Sequence, residues 1–155
     1  MFGSVKSKSA IGIIALLLLT GMTPSAVAAK RGSTPTLNGT VCKSIGGDWV
    51  AKVRNCYING SIISSVSFII DSKSQLIIDT YGNFTNYNDI TVNGSIVNYG
   101  TLNTSGNVFN YGTLVNYGTI ISSNYIYNYS YIMQSGDWYG CVYNFNVIDG
   151  PFSGC

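Results

Sequence analysis

Residues 82–141 read GNFTNY-NDITVN-GSIVNY-GTLNTS-GNVFNY-GTLVNY-GTIISS-NYIYNY-SYIMQS-GDWYGC, hexads built on G-x-Φ-x-N-Y, where Φ is a large apolar residue. The third place is Phe84, Ile90, Ile96, Leu102, Val108, Leu114, Ile120, Ile126, Ile132 and Trp138, apolar in every hexad. Self-similarity at a short fixed period marks a solenoid, in which each unit buries its apolar residue only against the units above and below. The alternation starts before the hexads. From Ile58 onward the even places carry Ile58, Gly60, Ile62, Ser64, Val66, Phe68, Ile70, Ser72, Ser74, Leu76, Ile78 and Thr80, while the odd places are more mixed and more polar. Successive side chains of an extended chain point to opposite faces, so the even set is expected inward and the odd set outward.

Helix is a poor competitor for this stretch: Gly, Asn, Thr and β-branched residues dominate, and no apolar stripe at three-four spacing persists. A flat sheet of hairpins is a better rival, because N-Y-G can turn. A six-residue spacing, however, leaves hairpin strands too short to pair well. Parallel stacking sets like over like, with Asn in amide ladders and the third place in a continuous core. The expected fold is therefore all-β: a short parallel β-solenoid (β-helix) of hexapeptide repeats over 58–140, with disulfide-closed caps at both ends. Coil length stays open. Two hexads per coil would stack Tyr87, Tyr99 and Tyr111, whereas three would stack Tyr81, Tyr99 and Tyr117, and Leu102 over Ile120. Matches at the fifth place favour two slightly without deciding.

The chain has 155 residues, enough for one domain with a leader. Residues 1–29 read as a signal peptide: Lys6 and Lys8 in front, an apolar run from Ala10 to Leu19, and Ala26-Val27-Ala28 as the cleavage site. That run is too short to span a bilayer core of roughly 30 Å. Export to the extracellular space or cell surface is expected, with no membrane insertion after the leader is cleaved. Eight Lys and Arg less Lys6 and Lys8 leave six, against six Asp, so the mature chain is near neutral. Between Gly82 and Ser135 the one charged residue is Asp89. No basic stripe exists for nucleic acid, and no basic amphipathic helix for a membrane surface.

Cys42, Cys56, Cys141 and Cys155 form an even set in an exported chain, which reads as two disulfides with three possible pairings. The sequential pairs, Cys42–Cys56 and Cys141–Cys155, are favoured because each closes a short local loop. Residues 30–57 then form a lead-in and an N-terminal disulfide cap, and 141–155 a C-terminal one. Within the first, Lys30 to Asn38 reads as a mobile polar lead-in. Gly46-Gly47-Asp48 is turn chemistry in a compact hairpin or loop, with Trp49 and Val53 as apolar mass. With no His and no C-x-x-C spacing, no metal site is expected, nor any cofactor.

Candidate chemistry is sparse. The left-handed β-helix acyltransferases place Gly after the aliphatic residue and use a catalytic His; here Gly precedes it and His is absent. Right-handed β-helix enzymes acting on polysaccharides use Asp clusters. Asp71 and Asp89, eighteen residues apart, would stack if a coil held three hexads. Scattered solvating charges explain both more simply, and no enzyme is expected. N-x-S/T sequons lie at Asn38, Asn59, Asn83, Asn93, Asn103 and Asn128. Asn59, Asn83, Asn93 and Asn103 are odd and outward, hence expected glycosylation sites, with Asn38 a further candidate. Asn128 is even, in the fifth place, and is expected to be unmodified.

Tyr81, Tyr87, Tyr99, Tyr111, Tyr117, Tyr125, Tyr127, Tyr129 and Tyr131 are all odd. Exposed rows of this kind stabilise a sheet, pack against another copy, or stack on sugar rings. Tyr87, Tyr99, Tyr111, Tyr117 and Tyr129 are the candidate binding residues. Cys42, Gly46, Gly47, Trp49 and Cys56, followed by GTLNTS, GTLVNY and GTIISS, give the chain a further likeness. It resembles secreted microbial surface proteins with a C-x-x-x-G-G-x-W…C segment and G-T-[IL]-x-N-x runs. That resemblance implies a surface, matrix or filament role. The function expected is that of a non-enzymatic extracellular structural protein whose partners are copies of itself. The alternative is a carbohydrate-binding or adhesive module meeting surface glycans through its Tyr rows.

Overall fold

The computed structural model describes residues 33–152. The expected signal peptide, the start of the lead-in at residues 30–32, and Cys155 of the expected second disulfide lie outside the described residues. The rest is a parallel β-solenoid of about five turns, with three faces per turn. The first face stacks Asn55–Ile58, Gln75–Ile78, Ser95–Asn98, Thr113–Asn116, Tyr131–Gln134 and Val147–Asp149 in order. The second stacks Ser61–Ser64, Asn83–Asn86, Thr101–Thr104 and the first halves of two long strands, Thr119–Asn128 and Asp137–Asn144. The third stacks Phe68–Ile70, Ile90–Val92, Val108–Asn110 and the second halves of those same strands.

Within the strands the even places turn inward as the alternation requires, while at the corners Ser72, Thr80 and Asn88 are exposed. Every third-place residue from Phe84 to Ile132 is fully buried, together with Ile58, Phe68, Ile70, Leu76, Ile78 and Val92. Each such side chain contributes about 1.5–3 kcal/mol through the apolar surface it removes from water.

A regular coil holds three hexads. Leu102 lies opposite Ile120, and Leu114 opposite Ile96 and Ile132. The two-hexad register does not form, although its fifth-place matches are slightly better. The hexads that lack Asn-Tyr explain why. GTLNTS and GTIISS fall one above the other, and their hydroxyls close the same corner. Thr104 Oγ1 donates to the Gly106 carbonyl, and Ser122 Oγ to that of Asn124. Coils at the ends differ in length. Phe68 sits opposite Ile90 and Leu76 opposite Ile96, so the first coils carry extra corner residues. Ile126 sits opposite Val142, two residues short of a regular coil. That shortening occurs at Gly140, whose φ of 133° favours glycine and where a Cβ would lie 2.4 Å from the Ser122 carbonyl oxygen. All these length changes are even in number, which is why the in-out phase survives them.

Disulfide Cys42–Cys56 closes the N-terminal cap. The cap is more than a hairpin or loop. A helix, Gly39–Ser44, precedes the antiparallel pair Asp48–Val50 and Asn55–Ile58. Asn38 caps the helix, its side-chain oxygen accepting the Thr40 and Val41 N–H groups at 2.9 and 3.0 Å. Leu37, Val41 and Ile45 close the core end. The lead-in is not free past Thr34. Thr36 pairs in parallel with Ile69, the Leu37 N–H donates to the Ile69 carbonyl at 2.7 Å, and Leu37 is fully buried. Backbone pairing with Ile69 and one buried apolar side chain tie it down. At the other end the parallel ladders continue through Val147–Asp149, past the boundary expected at residue 140. There Trp138 packs edge-on against Phe152, ring centroids 5.5 Å apart.

Candidate functional site: an aromatic wall on the third face

Odd places on the third face point outward, and parallel register sets them in columns. One column runs Ile69, Thr91, Phe109, Tyr127, Tyr143. Its last three rings stack, Phe109 on Tyr127 at 5.2 Å and Tyr127 on Tyr143 at 5.4 Å. The neighbouring column begins with Asp71 and Asn93 and continues as Tyr111, Tyr129, Phe145. Here the centroids are 4.8 and 4.9 Å apart and the ring planes within 6° of parallel. Tyr125 completes the patch, tilted against Tyr127 and Tyr143. Seven aromatic residues thus form a continuous wall over the last three coils. The spacing is that of adjacent strands, so the stacking follows from sheet geometry once aromatics share a column.

A separate row stands at the corner between the first and second faces, where Tyr99 stacks on Tyr117 at 5.2 Å. Of the five candidate binding tyrosines, the structure brings Tyr111 and Tyr129 into the wall and Tyr99 and Tyr117 into this smaller row. Tyr87 joins neither: it is exposed, and among the described residues no ring stacks on it. Phe109, Tyr125, Tyr127, Tyr143 and Phe145 complete the wall but were not among those candidates. Their signal was available in the same odd parity, but Phe109 is not a tyrosine, and Tyr143 and Phe145 lie past residue 140.

Inside, the fifth place forms amide ladders. Asn98 Nδ2 donates to Asn116 Oδ1 at 2.7 Å, and Asn116 Nδ2 to Gln134 Oε1 at 3.0 Å. Asn110, Asn128 and Asn144 form a second ladder, with 2.7 Å at each step. Asn128 is fully buried, while Asn38, Asn59, Asn83 and Asn93 are exposed and Asn103 is half-buried.

Asp71 and Asp89 do not stack. The longer first coil sets Asp71 beside Asn93, and Asp89 instead accepts the Asn107 N–H at 2.9 Å. Asp71 pairs with Arg54, whose φ of 55° turns the end of the cap hairpin. Burial alone would raise the Asp71 pKa. Hydrogen bonds from the Lys73 N–H and the Ser74 side chain, with the Arg54 charge, outweigh it and hold the carboxyl below its ordinary value. Tyr131 is shifted up, by loss of solvation and by its hydrogen bond to Asp149.

Among the described residues no group of three or more Cys, Asp, Glu or His could hold a metal ion, and no helix is long and apolar enough to cross a membrane. Compared with family models, curated proteins and solved structures, the chain matches none.

Proposed function

We propose that the chain is a non-enzymatic, exported structural protein of the cell surface that associates with copies of itself. One observation carries this reading: its most prominent outward feature is a wall of stacked aromatic rings with no charge in it. Such a patch favours a flat apolar partner over a soluble substrate. The disulfide in the cap suits an oxidising, extracellular setting. Sugar binding by the rows is less well supported. A pyranose stacks on a ring face, and within each row the faces between neighbours are closed by rings about 5 Å apart.

Sedimentation velocity on the purified mature protein, over a wide concentration series and alongside electron microscopy, tests the reading. An associated fraction that rises with concentration is expected; a strict monomer at every concentration overturns it. A glycan array checks the sugar-binding alternative, and no binding through Tyr99 or Tyr111 is expected.

A further inference from the structure

We infer that the wall is a two-fold, antiparallel dimer interface, with a second copy of this chain lying across it. This rests on the self-association proposed above and names the surface and geometry by which it happens. The size of the patch supports it. Tyr111, Tyr125, Tyr129, Tyr143 and Phe145 are 51%, 40%, 40%, 49% and 64% exposed. At roughly 200 Å² per aromatic side chain those fractions leave on the order of 500 Å² of ring surface in one patch. A standard interface needs about 800 Å² from each partner, so the rings supply more than half before any rim is counted. Tyrosine edges with their hydroxyls also suit such a centre, giving large contact area at little conformational cost.

The occupant is a second copy because the wall matches itself: it is flat, uncharged and aromatic throughout. Its surroundings argue the same way. The exposed sequons Asn59 and Asn83 and the half-buried Asn103 lie off the third face. Asn93 borders the wall at its N-terminal edge, and the sequon within the wall's own coils, Asn128, is buried in a ladder. Glycans on Asn59, Asn83 and Asn103 would therefore lie away from the wall, and one on Asn93 would stand at its N-terminal edge.

Orientation follows from charge. The N-terminal half of the third face carries Asp71, Asp89, Thr91 and Asn93 in the columns that become aromatic further on. A parallel pair would hold the two Asp89 carboxylates at one level of the seam, and Asp89 has no cationic partner among the described residues. An antiparallel pair overlaps the two walls and keeps the two Asp89 carboxylates apart.

Sedimentation equilibrium of the full mature chain reads the surface. Tyr125→Lys with Phe145→Lys is expected to weaken the dimer at least a hundredfold, whereas Tyr99→Lys with Tyr117→Lys leaves it within about threefold. Circular dichroism checks that each variant is folded. If the first is not, Phe145→Asn alone, at the exposed end of its column, is expected to weaken the dimer tenfold. A self-associating protein indifferent to the wall variants but disrupted by the control pair overturns the surface and leaves the self-association standing. A wild type that is always monomeric overturns both. Cysteine crosslinking reads the orientation, since no cysteine among the described residues is free. Tyr127→Cys, at the centre of the wall, is expected to crosslink to itself. Thr91→Cys is two strands from that centre, so antiparallel copies hold it about 19 Å from its mate and it is not expected to crosslink. Efficient Thr91→Cys dimers overturn the antiparallel arrangement.

Discussion

The amide of Asn98 donates to the side-chain oxygen of Asn116, one regular coil later, while the oxygen of Asn98 itself receives nothing. The register partner of Asn98 in the preceding coil is Ile78, which has no proton to give. Asn110 repeats the pattern over Val92. Both ladders therefore run in one direction and begin on an orphaned buried acceptor, a state that costs about 1–3 kcal/mol.

That orphan makes two similar substitutions unequal. Ile78→Asn places an amide donor beneath the waiting Asn98 oxygen, whereas Ile96→Asn buries an amide among aliphatic neighbours. Both lose a fully buried isoleucine. Ile78→Asn is expected to be the milder by about 1–3 kcal/mol in urea unfolding. Equal losses would show that the ladder does not extend.

Glycine at the first corner is a matter of space. A Cβ on Gly118 would stand 2.1 Å from the Gly100 carbonyl oxygen, which is backbone and cannot step aside, while one on Gly60 meets nothing within 4 Å. Gly118→Ala is expected to cost about 3 kcal/mol or more. Gly60→Ala is expected to be neutral or to stabilise by up to about 1 kcal/mol, by restricting the unfolded chain. Thermal melts of the two variants check the contrast.

Asp71 should make the cap junction sensitive to acid. Its folded pKa lies below the ordinary value of 3.8, so the unfolded chain takes up this proton more readily than the folded one. The stabilisation is thus present above about pH 4 and lost as pH falls through the lower folded value. Asp71→Asn is expected to lower the melting temperature at pH 7 and to flatten its decline below about pH 4. Parallel pH profiles for the variant and the wild type would count against a role for the pair.

Sequon occupancy reads the inward-outward phase directly. Expressed in a host that glycosylates N-x-S/T, the chain is expected to carry glycan on Asn59, Asn83 and Asn93, with Asn38 accessible and Asn103 less occupied. Asn128 is expected to be bare, because its side chain is fully buried with its amide engaged by Asn144, Ser130 and Val147. Glycopeptide mass spectrometry checks it, and a folded protein glycosylated at Asn128 refutes the phase.

Local properties of the chain were enough for the β-solenoid, the inward and outward sets, and the cap disulfide. These rest on a period of two, on hexad self-similarity and on short cysteine spacing. Coil length, the helix in the cap and the Leu37 anchor were settled in three dimensions, because hexads match one another at twelve residues nearly as well as at eighteen. The wall shows the difference most plainly. Phe109, Tyr127 and Tyr143 are merely three odd-numbered aromatics along the chain. They become one stacked surface only because an eighteen-residue coil and then a sixteen-residue one bring them into a single column. A side chain's direction follows from its own strand, but its neighbours follow from the register between strands, which is fixed only when the coils close on one another.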